Sequence, residues 1–277
     1  GAGNGRFEVA LKQHGYSHIT GSDPSEDSVG RLQKKGIASY VSSIYSEAAS
    51  EEMEKYDCIF LFEVAEHLLI PGKGIDNVRK MLKKNGIFMI SVHDYSQIGE
   101  DVTSIPNHFN LEHINYFSAE SLDYLMALHG MKRIAHKHEG IDLIQVYRKA
   151  DKIAIPEKDA ITETAVRSYF QKQREREEQV KSVIETLKEK GEELIIWGTG
   201  SYVMSLLAAT NLSECNIKGF VDNNKIKQGR KMYGYTIYPP AYLEDKNCTI
   251  LVCSMLNGQQ IKEQIEKMNT KNTIVLL

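Results

Sequence analysis

The sequence predicts an α/β fold in two parts, each a parallel sheet wound with helices. Three observations predict it. Short apolar runs alternate with segments of helical spacing. Two of those runs, Asp57 to Val64 and Ile87 to Val92, are apolar almost throughout, as strands buried on both faces require. A glycine-rich turn followed by a strand ending in an acid occurs twice, at Gly1 to Gly5 with Asp23 and at Gly198 to Gly200 with Asp222.

The elements follow in order. Phe7, Ala10, Leu11 and His14 have helical spacing, and Gly15 ends that helix. Ile19 to Gly21 reads as a strand, Val29 to Lys35 as a helix closed by Gly36, and Ile37 to Val41 as a strand. After the apolar run at Asp57 to Val64, the spacing of Ile75, Val78 and Leu82 predicts a helix that stops at Asn85-Gly86. Ile87 to Val92 is the next strand, Ala119 to His129 a helix, and Met131 to Lys137 with Ile141 to Arg148 a closing pair of strands.

A boundary is expected near Ala150. Residues 1–150 form one domain, 151–190 a linking segment dominated by a charged helix, and 191–277 a second domain. The helix centre, Gln171 to Glu178, has no apolar residue and reads as a solvated face. Val180, Val183, Ile184 and Leu187 then restore an apolar stripe that must pack on something. The second domain repeats the rhythm: strands at Leu194 to Trp197, Ile217 to Asp222, Thr249 to Ser254 and Thr273 to Leu277, and helices at Tyr202 to Thr210 and Gln259 to Met268.

Composition bounds the function. Charged residues are 26% and the net charge is −3, which gives no reason to expect nucleic acid as a partner. The four cysteines lie singly with no CxxC pair, no apolar run approaches a membrane span, and no signal peptide is visible; a reduced cytoplasmic setting is the expectation. No spacing points to a metal, the late cluster His136, His138 and Glu139 included.

The first glycine turn and Asp23 mark a nucleotide-type cofactor. Glycines let the backbone turn sharply and approach a ligand, and an acid some 20 residues on can accept from ribose hydroxyls. The spacing is G-x-G-x-G, not the G-x-G-x-x-G that suits a pyrophosphate. Asp57 to Leu68 with Pro71, Leu82 to Val92, and His113 to Leu122 ending at His129-Gly130-Met131 then resemble, in the same order, segments of class I S-adenosylmethionine methyltransferases. The resemblance covers residues 1–150 and implies a Rossmann-like domain, a parallel sheet with an antiparallel last strand. It further implies S-adenosylmethionine as the cofactor, held by Gly1, Ala2, Gly3, Gly5, Asp23, Ser43, Ile44, Glu63, Val64 and His67. Glu63 and Glu66 have a plainer reading as charges at a helix start.

Residues 195–200, 219–224 and 227–234 resemble the carboxyl-terminal domain of sugar C-methyltransferases and the small Rossmann-like domain of nucleotide-sugar enzymes. That implies a sugar nucleotide or related sugar as the acceptor. The catalytic segment of those enzymes matches His108 to His113, with Asn110 at the tyrosine position. By that resemblance His113 is the base that removes a proton beside a carbonyl, and Glu112 orients it or holds a sugar hydroxyl. Against this stands a structural role for both, since other methyltransferases share the His-Ile-x-x-Phe step. C-methylation is favoured, and O- or N-methylation stays open because the tyrosine is absent. The cysteine cluster of that family's zinc domain is also absent, as is a lysine after its second glycine turn. His93, Asp94, Asn110, Tyr116, Gly198, Gly200, Lys227 and Arg230 are the remaining substrate-binding candidates. The rival functions are a silent methyltransferase-fold binding protein and an NAD-dependent sugar-nucleotide oxidoreductase using the second turn. A glycine turn of this kind normally follows a buried central strand. The expectation is therefore a chain missing its natural amino terminus, with an empty or distorted cofactor site.

Overall fold

The computed structural model describes all residues except 48–49, 99–108, 110, 158 and 269–270. It divides into two compact units that part within one long helix, between Val166 and Arg167.

The first unit begins with helix α1 (Arg6–Gln13), entered through Gly5 at φ +73°. Strand β1 (Thr20–Asp23) leads to helix α2 (Glu26–Lys34), whose Ser25 hydroxyl accepts from the Ser28 amide at 3.3 Å. Strand β2 (Ala38–Val41) pairs parallel with β1. Strand β3 (Tyr56–Phe62), helix α3 (Pro71–Met81) with proline in its first turn, and strand β4 (Leu82–His93) follow. The helix expected to run to Asn85-Gly86 ends four residues sooner. Leu82 already pairs with Tyr56, and a shift of register before the Cys58–Ile87 pair absorbs residues 83–86 as a bulge. Helix α4 (Ala119–Leu128) starts in a capping box of Ser118 and Ser121. Strands β5 (Met131–Glu139) and β6 (Asp142–Lys149) close the unit as an antiparallel pair.

The sheet stands in two pieces, β1–β2 and β3–β4–β6–β5. The glycine turn touches both: the Ala2 amide donates to the Ser22 carbonyl at 3.0 Å, and Gly1 lies against Val64 just beyond β3. Phe7 of α1 packs edge-on against Phe60 and Phe62 of β3, with ring centres 4.8 and 4.9 Å apart. The core joins Leu61, Phe88 and Ile90 of the sheet to Val78 of α3 and Leu122 and Met126 of α4.

Helix α5 (Thr162–Lys190) starts in the first unit and ends in the second. Residues described between 151 and 161 are not helical, so the linking helix is shorter than the segment expected for it. The second unit comprises β7 (Leu194–Trp197), α6 (Ser201–Ala209), β8 (Ile217–Val221), β9 (Lys231–Met232), β10 (Tyr235–Tyr238), β11 (Thr249–Val252), α7 (Gly258–Lys267) and β12 (Thr273–Leu276). Its strand order is β12-β11-β7-β8-β10-β9, parallel except for β9. Both faces of β7 are buried. Leu194 and Ile196 meet the α5 stripe of Val180, Ile184 and Leu187, while Ile195 and Trp197 meet Ile261 and Ile265 of α7. That two-sided burial is why the strand is apolar at every position.

Candidate active site

The first glycine turn requires its glycines. Gly3 and Gly5 have φ of +54° and +73°, and a Cβ on Gly1 would come within 2.4 Å of Val64 Cγ2. The Gly3 amide donates to Asp23 Oδ2 at 2.8 Å and the Ser25 amide to Oδ1 at 2.9 Å. Asp23 is therefore a buried brace between the turn and α2. Ser43 caps its own loop, its hydroxyl accepting from the Tyr45 amide. Ile44 packs over Gly74 of α3, and Asn77 donates to its carbonyl at 2.9 Å.

At the carboxyl ends of β3 and β4 a set of ionisable side chains converges. Ser91 and His93 alternate on one face of β4. Glu63 follows β3 with φ +53°, a strained setting for a residue with a side chain. The Ser91 hydroxyl donates to Glu63 Oε1, and Glu63 Oε2 lies 3.7 Å from His93 Nε2. Asp142, opposite His93 in the β4–β6 register, brings Oδ1 within 3.3 Å of the same nitrogen. Behind Glu63, Ala65 to His67 form a single turn in which Glu66 is 1% exposed. Burial first, then the neighbouring Glu63 carboxylate, push the Glu66 carboxyl up to about 7.

His113 is brought in by backbone pairing. The Ile114 and Asn115 amides donate to the Glu66 carbonyl at 2.9 and 3.0 Å, and the Asn115 side chain donates to the Leu68 carbonyl at 2.6 Å. His113 thus lies against His67, ring centres 4.9 Å apart, and near His93 at 5.9 Å. Desolvation, then the imidazoles of His67 and His93, hold its imidazole below the ordinary value. His67 Nδ1 is 2.8 Å from the Glu112 carbonyl, and the Glu112 carboxylate, on a residue exposed to solvent, acts electrostatically on the His113 imidazole.

The other candidates are placed differently. Asp94 is buried, with Oδ2 at 2.8 Å from His138 Nε2 and Oδ1 accepting from the Ser96 amide and hydroxyl. Tyr116 sets its ring edge-on against Tyr95. Asn110 lies outside the described residues. In the second unit Gly198 has φ +120°, and a Cβ there would meet the Cys253 carbonyl oxygen at 2.9 Å; Gly200 is extended with open space around it. Lys227 donates to the Thr199 carbonyl and hydroxyl at 3.2 and 3.1 Å and lies 3.6 Å from Asp222. Burial would raise the Asp222 carboxyl, but hydrogen bonds from Thr199, the Asn224 amide and Lys227 outweigh it and hold it low. The turn's acid and the nearby Lys227 cation thus offset each other's charge. Arg230 meets this region through its backbone, accepting from Ile237 and donating to Lys227.

A family model described as a methyltransferase domain matches residues 1–136. Residues 1–136 are a methyltransferase domain. A second family model, described as C2185-like, N-terminal, matches residues 190–276. Similar solved structures include the PH0226 protein from Pyrococcus horikoshii OT3, at 18% identity and TM-score 0.45, covering 53% of this chain and 78% of that one. Another is a possible histamine N-methyltransferase from Thermotoga maritima, at 21% and 0.44, covering 54% and 79%. A third is the 1,6-didemethyltoxoflavin-N1-methyltransferase from Burkholderia thailandensis, bound to S-adenosylhomocysteine, at 18% and 0.43, covering 55% and 69%. These are likenesses at values too low to bear on what this chain acts on. No curated protein matches the chain significantly.

Within the methyltransferase domain, two members of the convergent set were not singled out from sequence: Ser91 and Asp142. Ser91 was findable, because it shares a strand face with His93 two residues on. Asp142 was not, since only the β4–β6 register brings it there.

Proposed function

We propose that the methyltransferase domain methylates a small-molecule acceptor whose nucleophilic atom must first lose a proton, and that His113 takes that proton. The observation that carries this is the placement of His113 beside His67 and His93 at the strand ends, with an imidazole kept neutral near pH 7. A neutral imidazole accepts a proton, and the backbone pairing of Ile114 and Asn115 to Glu66 fixes where it does so.

The turn fits the cofactor, because it is close-packed where a side chain would block it and its glycines adopt conformations other residues resist. Gly1, Ala2, Gly3, Gly5, Asp23, Ser43, Ile44, Glu63, Val64 and His67 are the residues we assign to holding it. Asp23 acts there chiefly by bracing the turn. When bound, the cofactor supplies an activated methyl group on a sulfonium. The acceptor we favour is a sugar nucleotide or related sugar, with C-methylation ahead of O- or N-methylation. Its support is the order of parts along the chain: methyltransferase domain, long helix, small parallel α/β unit.

Calorimetry of the full chain with S-adenosylhomocysteine and with NAD separates this reading from an oxidoreductase. Heat is expected with the first and none with the second. His113→Ala should lower turnover roughly 100-fold or more and leave S-adenosylhomocysteine affinity within about twofold. Turnover close to that of the unmodified protein would remove His113 from the role.

A further inference from the structure

The convergent carboxylates hold a feature that proton transfer by His113 does not use. Glu66 is 1% exposed, and neither of its carboxylate oxygens has a hydrogen-bond partner among the described residues. Such a carboxylate is costly unless something positive neutralises it. Glu63, Glu66 and His93 each bring one donor atom into a group in which all lie within 4.8 Å of one another. The supports for that group are in place. Ser91 holds one oxygen of Glu63, leaving the other 3.7 Å from His93 Nε2, and Asp142 brings a further carboxylate oxygen within 3.3 Å of the same nitrogen. Glu63 keeps a strained backbone that sets its carboxylate in this position.

We propose that Glu63, Glu66 and His93 bind a divalent first-row cation at the carboxyl ends of β3 and β4. Two carboxylate oxygens and one imidazole suit Zn²⁺ or Mn²⁺, whereas Ca²⁺ takes oxygen ligands alone. Three protein ligands leave a coordination position open. Resting on the methyl-transfer reading above, that position takes an oxygen of the acceptor, and the cation makes the acceptor's proton easier for His113 to remove. Glu63 is shared with the residues assigned to the cofactor, whereas Glu66 and His93 are not, so changes at those two separate cation binding from cofactor binding.

The test uses the full chain stripped with chelator, without cofactor or acceptor. Mn²⁺ uptake is followed by electron paramagnetic resonance and Zn²⁺ by calorimetry. The unmodified protein should bind at a single saturable site, and Glu66→Gln and His93→Ala should each weaken it at least about tenfold. Circular dichroism reports whether each variant folds, and either one suffices if the other does not. S-adenosylhomocysteine affinity, measured separately, should stay within about twofold in both variants. Binding of neither cation by the unmodified protein, or unchanged binding by a folded variant, would overturn the proposal. Cation binding without any S-adenosylhomocysteine binding would sink the methyl-transfer reading and leave the cation site standing; the reverse result would do the opposite.

Discussion

Gly198 and Gly200 look alike as letters, and the backbone separates them. Gly198 sits at φ +120° with a carbonyl oxygen 2.9 Å from where a Cβ would be, while Gly200 is extended, uncrowded, and at the N-cap of α6. Gly198→Ala should therefore cost about 1–3 kcal/mol, since a strained φ and a backbone clash act together. Gly200→Ser should be neutral or stabilise by up to about 1 kcal/mol, because serine supplies the cap oxygen that glycine lacks. Urea unfolding of both variants checks this, and equal losses would show that the turn is not held as described. The same limit applies at Glu66. Its letter places it one residue before His67, which the motif makes conspicuous. Its burial depends on residues 113–115 folding back onto its carbonyl, a contact nearly 50 positions away in the chain.

Elements are more legible than residues, because periodicity records burial directly. The stripe of Val180, Ile184 and Leu187 on α5 is visible in the residue spacing alone, and it packs into the second unit's core. Ile184→Ala should cost about 2–5 kcal/mol, while exposed Glu178→Ala should stay within about 0.5 kcal/mol. A loss under about 1 kcal/mol for Ile184→Ala would refute the packing. The start of α5 is less legible. Asp159 holds it, accepting from the Ile161 and Thr162 amides at 2.9 and 3.1 Å and from the Ser118 and Thr162 hydroxyls. Burial alone would raise that carboxyl, but these bonds outweigh it and hold it below the usual range. A depressed folded-state pKa gives stability that is present above the unfolded value and is lost as pH falls through the folded one. The stability of the unmodified protein over Asp159→Ala should thus be greatest at neutral pH and shrink below about pH 4. An advantage that grows on acidification would reverse the assignment. Strand β10 has no such signature: four residues between Gly234 and Pro239, with only Ile237 fully buried, carry too little pattern to be read as a strand.

At the scale of the whole chain, the doubly wound rhythm is legible twice over, and the hydrophobic cores it builds in the two units share no residue. What the rhythm does not convey is that the two glycine turns differ in state. The first turn's amides and Asp23 form a brace that joins β1 to the end of β3, whereas the second turn's acid is already neutralised by Lys227. A ligand of the first turn should therefore act on the first unit's stability. S-adenosylhomocysteine at 100 times its dissociation constant adds about 2.7 kcal/mol to whatever cooperative unit binds it. Hydrogen exchange followed along the chain can locate that gain. Amides of β1, of the Gly1–Gly5 turn and of the Ala65–His67 turn should slow markedly on ligand addition. Those of β7, β8 and β11 open through a separate core and should exchange at unchanged rates. Protection concentrated at β7 and the Gly198–Gly200 turn would mean that the second unit holds the ligand, and the assignment of the cofactor to the first glycine turn would have to be given up.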